Sequence, residues 1–216
     1  MKSTQKTIKN LVLLIALVCF GISAKATEKS GTIYLVISHE VLDFDQWKPG
    51  FDNDLSTRKK AGLKDIFVKQ DINNPNAITA LFEVKNMEKA EAFLANPALK
   101  EAMEKAGVSS TPVIVFHKSV AEFAKIKPKA LITMISHSVR DFDTWKKEYD
   151  AAAEMRVSAG IQDYLVLRSL ADENVVMAMG TASSAEAFGK FMANPKLKEA
   201  MEKAGATSKP EVSILP

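Results

Sequence analysis

His39, Trp47 and Arg58 stand eight and eleven residues apart, and the same three types return at the same spacing as His137, Trp145 and Arg156. An imidazole titrates near neutral pH, so a histidine at a pocket mouth can act as a general base or proton donor. The indoles offer broad apolar walls, extended by Phe51 and Tyr149 four residues on. A guanidinium can pair with an acidic ligand group, or with Asp43 or Asp54 and their counterparts. This pattern makes His39 and His137 candidate catalytic residues. Trp47, Phe51, Arg58, Trp145, Tyr149 and Arg156 become candidate ligand-binding residues.

A plainer reading competes with it. Aromatics at helical spacing commonly fill a core, because each buries a large area. A histidine bonded to local backbone, or to a carboxylate of the next helix, has no chemical duty. A filled core with satisfied histidines would mark a non-catalytic binding or interaction protein; a cavity beside either tryptophan would mark a site. The third histidine, His117, follows a strand end in one copy only and reads as structural or exposed.

Other chemistries find little support. A metal site from His39, Asp43 and Asp45 competes with helix capping by Asp43, so no metal is expected. The loop Asp71–Asn76 is oxygen-rich, but an ordinary turn explains it. No phosphate loop, Ser-His-Asp arrangement or flavin fingerprint is present, and no cofactor is expected.

The elements that must position these residues come twice. HEVLDFDQWK, His39 to Lys48, returns as HSVRDFDTWK, His137 to Lys146, and the offset of 98 holds without a gap from Ile33 to Lys118. The run LKEAMEKAG occurs at Leu99–Gly107 and again at Leu197–Gly205. A unit this long, present twice, is a duplicated domain rather than a solenoid.

Within one copy, Thr32–His39 reads as a buried strand, apolar on both faces. Asp43 can cap a helix that carries Phe44, Trp47, Phe51 and Leu55 on one face, with Arg58 at its edge and Gly62 after its end. Strands over Asp65–Gln70 and Ala77–Val84 form a hairpin. A helix over Met87–Gly107, broken at Pro97, precedes a strand over Val113–His117. The order is β-α-β-β-α-β, a ferredoxin-like unit.

The predicted fold class is therefore α+β: two tandem ferredoxin-like repeats, 31–118 and 131–216, joined by a linker over 119–130. Each four-stranded sheet has a bare face, and packing the two together buries both. One chain thereby does what a homodimer would, as a monomer with an intrachain pseudo-dimer, while further oligomerisation stays open. Between the copies Phe82 becomes Gly180 while Ala90 becomes Phe188. This is a volume-conserving exchange if the two positions face the same space.

The first residues read as an address. Lys2, Lys6 and Lys9 precede an apolar run, Leu11 to Ile22, and then Ala24-Lys25-Ala26. This is the order of a secretory signal peptide over 1–26, and the run is too short to span a bilayer. Export to the periplasm or the medium is expected. Removal takes four lysines with it and leaves 25 basic against 26 acidic residues, a net charge of −1. No nucleic-acid or membrane partner is expected of such a balance. The single cysteine, Cys19, leaves with the signal, so disulfide, thiolate and Cys-metal chemistry leave too.

The H-x-V-x-D-F-D-x-W-K motif, the arginine eleven residues after its tryptophan, the turn Asn73–Ile78 and LKEAMEKAG together resemble the dimeric α+β barrel superfamily. The nearest resemblance is to its antibiotic biosynthesis monooxygenase-like proteins. It covers nearly all of Ile33–Lys118 and Leu131–Pro216. It implies a barrel fold with a ligand cavity between helices and sheet, a small apolar or aromatic ligand, and cofactor-independent monooxygenase chemistry. Of the asparagine, tryptophan and tyrosine or histidine that such oxygenases use, the tryptophans match. The haem-degrading branch places a histidine on the second helix, and neither copy has one there.

Overall fold

The computed structural model describes residues 31–125, 127 and 129–216. The expected signal peptide lies outside them. Repeat 1 runs β1 (Ile33–Glu40), α1 (Phe44–Asn53), α2 (Leu55–Lys60), β2 (Leu63–Gln70), β3 (Ala77–Val84), α3 (Met87–Leu94), α4 (Pro97–Lys105) and β4 (Val113–Glu122). Repeat 2 follows with β5 (Leu131–Ser138), α5 (Phe142–Ala151), α6 (Ala153–Ser158), β6 (Ile161–Ser169), β7 (Val175–Ala182), α7 (Ala185–Met192), α8 (Pro195–Lys203) and β8 (Glu211–Leu215).

Local chemistry sets the helix starts. Asp43 and Asp141 accept from the backbone N–H three residues on, at 2.9 and 2.8 Å. Asn96 and Asn194 cap α4 and α8, with Pro97 and Pro195 in the first turn, where the missing N–H costs nothing. Gly62 and Gly160 turn the chain after α2 and α6 at φ of 73° and 75°. A Cβ on Gly62 would stand 2.8 Å from the Asn86 side chain.

The strands form one antiparallel sheet in the order β2-β3-β1-β4-β6-β7-β5-β8. The two expected sheets are therefore hydrogen-bonded to each other, through β4 and β6. The far edges also meet, since Ile72 N–H donates to the Ile214 carbonyl at 2.9 Å. The sheet is thus curled into a barrel with the helices outside. The linker expected over 119–130 is shorter than that, because Ser119–Glu122 continue β4 and Glu122 pairs opposite Leu165. An edge strand left unpaired there would expose its backbone, and β6 supplies the partner.

Both repeats carry a bulge in the strand after the second helix, between Asp65 and Phe67 and between Asp163 and Leu165. An extra residue breaks the strict in-out alternation. Tyr164 and Leu165, adjacent in sequence, therefore both enter the barrel interior, where they pack with Tyr34, Val36, Met134 and Leu167. Asp65 and Asp163 stay on the helix side, where they meet arginines. Ile114 and Ile214 lie on the helix side too, as alternation along the last strands requires.

His117, on β4, is 1% exposed, and its Nδ1 lies 3.2 Å from the Val115 carbonyl. Burial pushes its pKa down to about 4. Below the unfolded value of about 6.5 the unfolded chain takes up a proton that the native state refuses. Stability should thus be intact above pH 6.5 and fall toward pH 4, by an amount on the order of 3 kcal/mol at 1.36 kcal/mol per unit. Unfolding measured across that range should show a flatter acid limb in His117→Gln. An unchanged limb would assign the loss to other groups.

Candidate functional site

Each repeat places its histidine, tryptophan and arginine around the space between helices and sheet. Trp47 and Phe51 project from α1, with ring centroids 5.0 Å apart, and His39 at the end of β1 meets Trp47 edge-on at 5.5 Å. The second set repeats this with His137, Trp145 and Tyr149, at 5.9 and 5.1 Å. The arrangement follows from the cap: Asp43 begins α1 four residues after His39, so the first helical turn carries Trp47 back over the strand end.

The arginines are committed elsewhere. Arg58 directs Nη2 to Asp65 at 2.6 Å and Nη1 to the Phe51 carbonyl at 2.6 Å. Its guanidinium lies 3.7 Å from the centre of the Phe51 ring. Arg156 holds Asp163, the Tyr149 carbonyl and the Tyr149 ring in the same way, and the Tyr149 hydroxyl also donates to Asp163. Asp65 and Asp163 are the partners, not Asp43 or Asp54. Both guanidinium forks are occupied, so Arg58 and Arg156 hold the aromatic wall and present no free charge to an acidic ligand.

The histidines are the opposite case. His39 and His137 are 8% and 7% exposed, yet neither nitrogen of either ring has a hydrogen-bond partner among the described residues. The bonds to local backbone or to a neighbouring carboxylate that a structural role predicts are missing. Burial lowers both pKa values, so each ring is neutral at pH 7 and carries one donor and one acceptor. A buried polar group left unpaired costs roughly 1–3 kcal/mol. Such a cost is a reason to ask what else reaches the ring.

The cavities differ between repeats. That of repeat 1 measures about 950 Å³ and is floored by Ile37, Ala80 and Phe82, walled by Trp47 and Phe51, and roofed by Phe93. Ser109, Ser110 and Thr111 also line it, and the Ser110 hydroxyl accepts from the Glu40 N–H at 2.8 Å. Repeat 2 retains only about 80 Å³. Phe188 stands where repeat 1 has Ala90, and it is 1% exposed. Sites for small molecules run to about 300–1,000 Å³, whereas a single water is held from roughly 10–15 Å³ upward. Repeat 1 has room for a drug-sized molecule, and repeat 2 for a few waters. His137, Trp145, Tyr149 and Arg156, the expected ligand-binding set of repeat 2, line this smaller void.

The sequence names the residues at this site and the Ala90–Phe188 difference between the repeats, but a second difference was missed. Pro49 and Gly50 sit inside α1 where repeat 2 has Lys147 and Glu148. Two poor helix formers in mid-helix were the available signal.

No protein-family model and no curated protein matches the chain. Solved structures do. An anthrone oxidase-like protein superposes with a TM-score of 0.61 at 10% identity, over 87% of this chain and 91% of that one. A candidate monooxygenase from Lactobacillus acidophilus NCFM gives 0.57 at 12% identity, over 86% and 93%. An uncharacterised ferredoxin-fold protein related to antibiotic biosynthesis monooxygenases, from Listeria monocytogenes, gives 0.50 at 11% identity, over 86% and 95%. At such identities the likeness shows the fold alone. That fold is a tandem ferredoxin-like barrel, both repeats included.

Proposed function

We propose that the chain is an exported protein that binds one small aromatic molecule in the repeat 1 cavity and presents it to His39 as a base. The observation that carries this is His39 itself, unpartnered and buried against an apolar space of about 950 Å³. Trp47 and Phe51 are the walls, and Arg58 fixes Phe51. A ligand hydroxyl, or an acidic C–H, would complete the ring's hydrogen bonding. Apolar burial supplies the affinity and the single polar contact supplies orientation. The Thr27 end expected from signal removal would appear as the N-terminal mass of the protein recovered from the periplasm or medium.

The finer reading is cofactor-independent oxygenation, supported by the anthrone oxidase-like protein of the same fold. A neutral imidazole removes a proton from an activated CH₂, and the carbanion adds to O₂ to give a peroxide anion. The imidazolium returns the proton, and loss of water leaves a carbonyl. One O₂ is consumed and one water released per carbonyl formed. General-base catalysis contributes about 10²–10⁴-fold, so His39→Ala should lower O₂ uptake with anthrone by that order.

Binding can be tested without turnover. The wild type should bind 1-naphthol at one per chain, and His39→Ala should weaken it by about tenfold, the worth of one hydrogen bond of some 1.4 kcal/mol. Naphthalene, without the hydroxyl, should bind both proteins alike. Equal weakening of the two ligands would remove the hydrogen bond from the account. No binding of either would remove the site.

A further inference from the structure

One helix position at which the two repeats differ lies on the wall of each cavity: Gly50 in repeat 1 and Glu148 in repeat 2. In repeat 2, Glu148 on α5 reaches Lys203 on α8 at 2.8 Å, and the two helices pack together there. Glu148 lines the small void, so the ion pair lies across its outer side. In repeat 1 the counterpart of Glu148 is Gly50, which lines the large cavity. The counterpart of Lys203 is Lys105, whose side chain is 80% exposed and whose nearest carboxylate, Glu101, is 4.0 Å away.

Nothing around Gly50 demands a glycine. It is not among the positive-φ glycines, and a Cβ built on it meets nothing within 4 Å. Pro49 before it removes an N–H from the α1 ladder as well. A helix interior is a poor place for both residues, and repeat 2 shows that this helix accepts lysine and glutamate instead. What Gly50 provides is an absence of side chain at the wall of the large repeat 1 cavity.

We propose that the gap between α1 and α4 at Gly50 is the entrance to the His39 cavity. The Glu148–Lys203 ion pair is the latch that keeps the matching gap of repeat 2 shut, so one chain takes one ligand. The inference rests on the reading that the repeat 1 cavity binds a small apolar molecule. It adds the route, and the residue that controls it.

The test is stopped-flow association of the neutral fluorescent probe N-phenyl-1-naphthylamine with the whole chain. Gly50→Glu gives repeat 1 the letter of repeat 2 and lets it pair with Lys105. Its association rate should fall by about tenfold or more, since rates drop when binding waits on an opening step. Gly50→Gln, similar in size but without the charge, should stay within about threefold of wild type, and 0.5 M NaCl should restore much of the Gly50→Glu rate by screening an exposed pair. Should Gly50→Glu fail to fold, Gly50→Lys/Lys105→Glu installs the same latch with reversed polarity and should slow the probe equally.

Wild type binding with Gly50→Glu and the reversed pair equally fast would overturn the entrance while leaving the cavity reading intact. Slowing by Gly50→Gln as large as by Gly50→Glu would overturn the latch, because bulk alone would explain it. A wild type that binds no probe would sink the cavity reading and this inference with it.

Discussion

Arg156→Ala is expected to destabilise the chain by about 3–5 kcal/mol, the range seen when one member of a buried ion pair is removed. The side chains of Arg156 and Asp163 are 9% and 15% exposed, so little solvent screens them. Three guanidinium contacts go at once: Nε and Nη2 to the carboxylate at 2.8 Å, and Nη1 to the Tyr149 carbonyl at 2.6 Å. The Tyr149 ring, 3.7 Å below the guanidinium, loses its cover. Asp163 keeps only the Tyr149 hydroxyl, at 2.9 Å, and so becomes a buried charge without a counter-charge. Urea unfolding at pH 7 measures the loss, and a melting shift of roughly 10 °C should accompany it at 2–4 °C per kcal/mol. Arg156→Lys should fall between, since an ammonium keeps the charge but neither the fork nor the stack. A loss under about 1 kcal/mol, typical of exposed pairs, would mean that the clamp is not structural and that the guanidinium is available to a ligand.

That arginine also shows where sequence reading ran out. Helix caps, the aromatic stripe and the duplication were legible because each depends on residues within a few positions of one another, or on a plain offset of 98. The partner of Arg58 was not, because Asp65 reaches it across a turn and from a bulged strand. A bulge changes which face a side chain takes without leaving a mark in composition. The β4 extension was hidden for a related reason. Ser119–Glu122 precede a lysine-rich segment and look like linker, but Ser119 and Ala121 are buried at 0% and 3% once β6 lies alongside. The ladder partner lies some fifty residues away.

The candidate site was half legible. His39, Trp47 and Phe51 were named because they repeat, yet repetition argued equally for His137, Trp145 and Tyr149. Cavity volume is a difference between the space two helices enclose and the side chains that fill it, so single letters on several elements decide it together. Gly50 against Glu148 pushes toward an open first repeat and a shut second one, whereas Ala90 against Phe188 is offset by Phe82 against Gly180. A duplication that begins with two equal cavities can divide the labour in this way, one half keeping the site and the other packing tightly to hold the barrel. Packing and open space are alternatives at each position, so stability and binding compete locally.

A double-mutant cycle on positions 82 and 90 measures that competition. Phe82 is 2% exposed, and Phe82→Gly should cost about 3–5 kcal/mol as a core ring is lost. A glycine in mid-strand adds roughly 0.5–1 kcal/mol. Ala90→Phe alone should cost about 1–3 kcal/mol by overpacking, since Ala90 is fully buried in the cluster that contains Phe82. Together the two substitutions give repeat 1 the letters of repeat 2, where Gly180 and Phe188 share one lining. The ring then returns from the other side, and a coupling energy of about 2 kcal/mol or more in favour of the pair is expected, within the range for residues in contact. Simple additivity would show that the two rings never occupied the same space. The reverse exchange should fail, because a Cβ at Gly180 would stand 2.9 Å from the Gln162 carbonyl oxygen. Backbone, unlike a side chain, cannot swing aside there. Phe82→Gly/Ala90→Phe should bind 1-naphthol about as well as wild type, since a ring is moved within one space and none is added. A stable double variant with weakened binding would show instead that a ring at position 90 intrudes on the space the ligand takes.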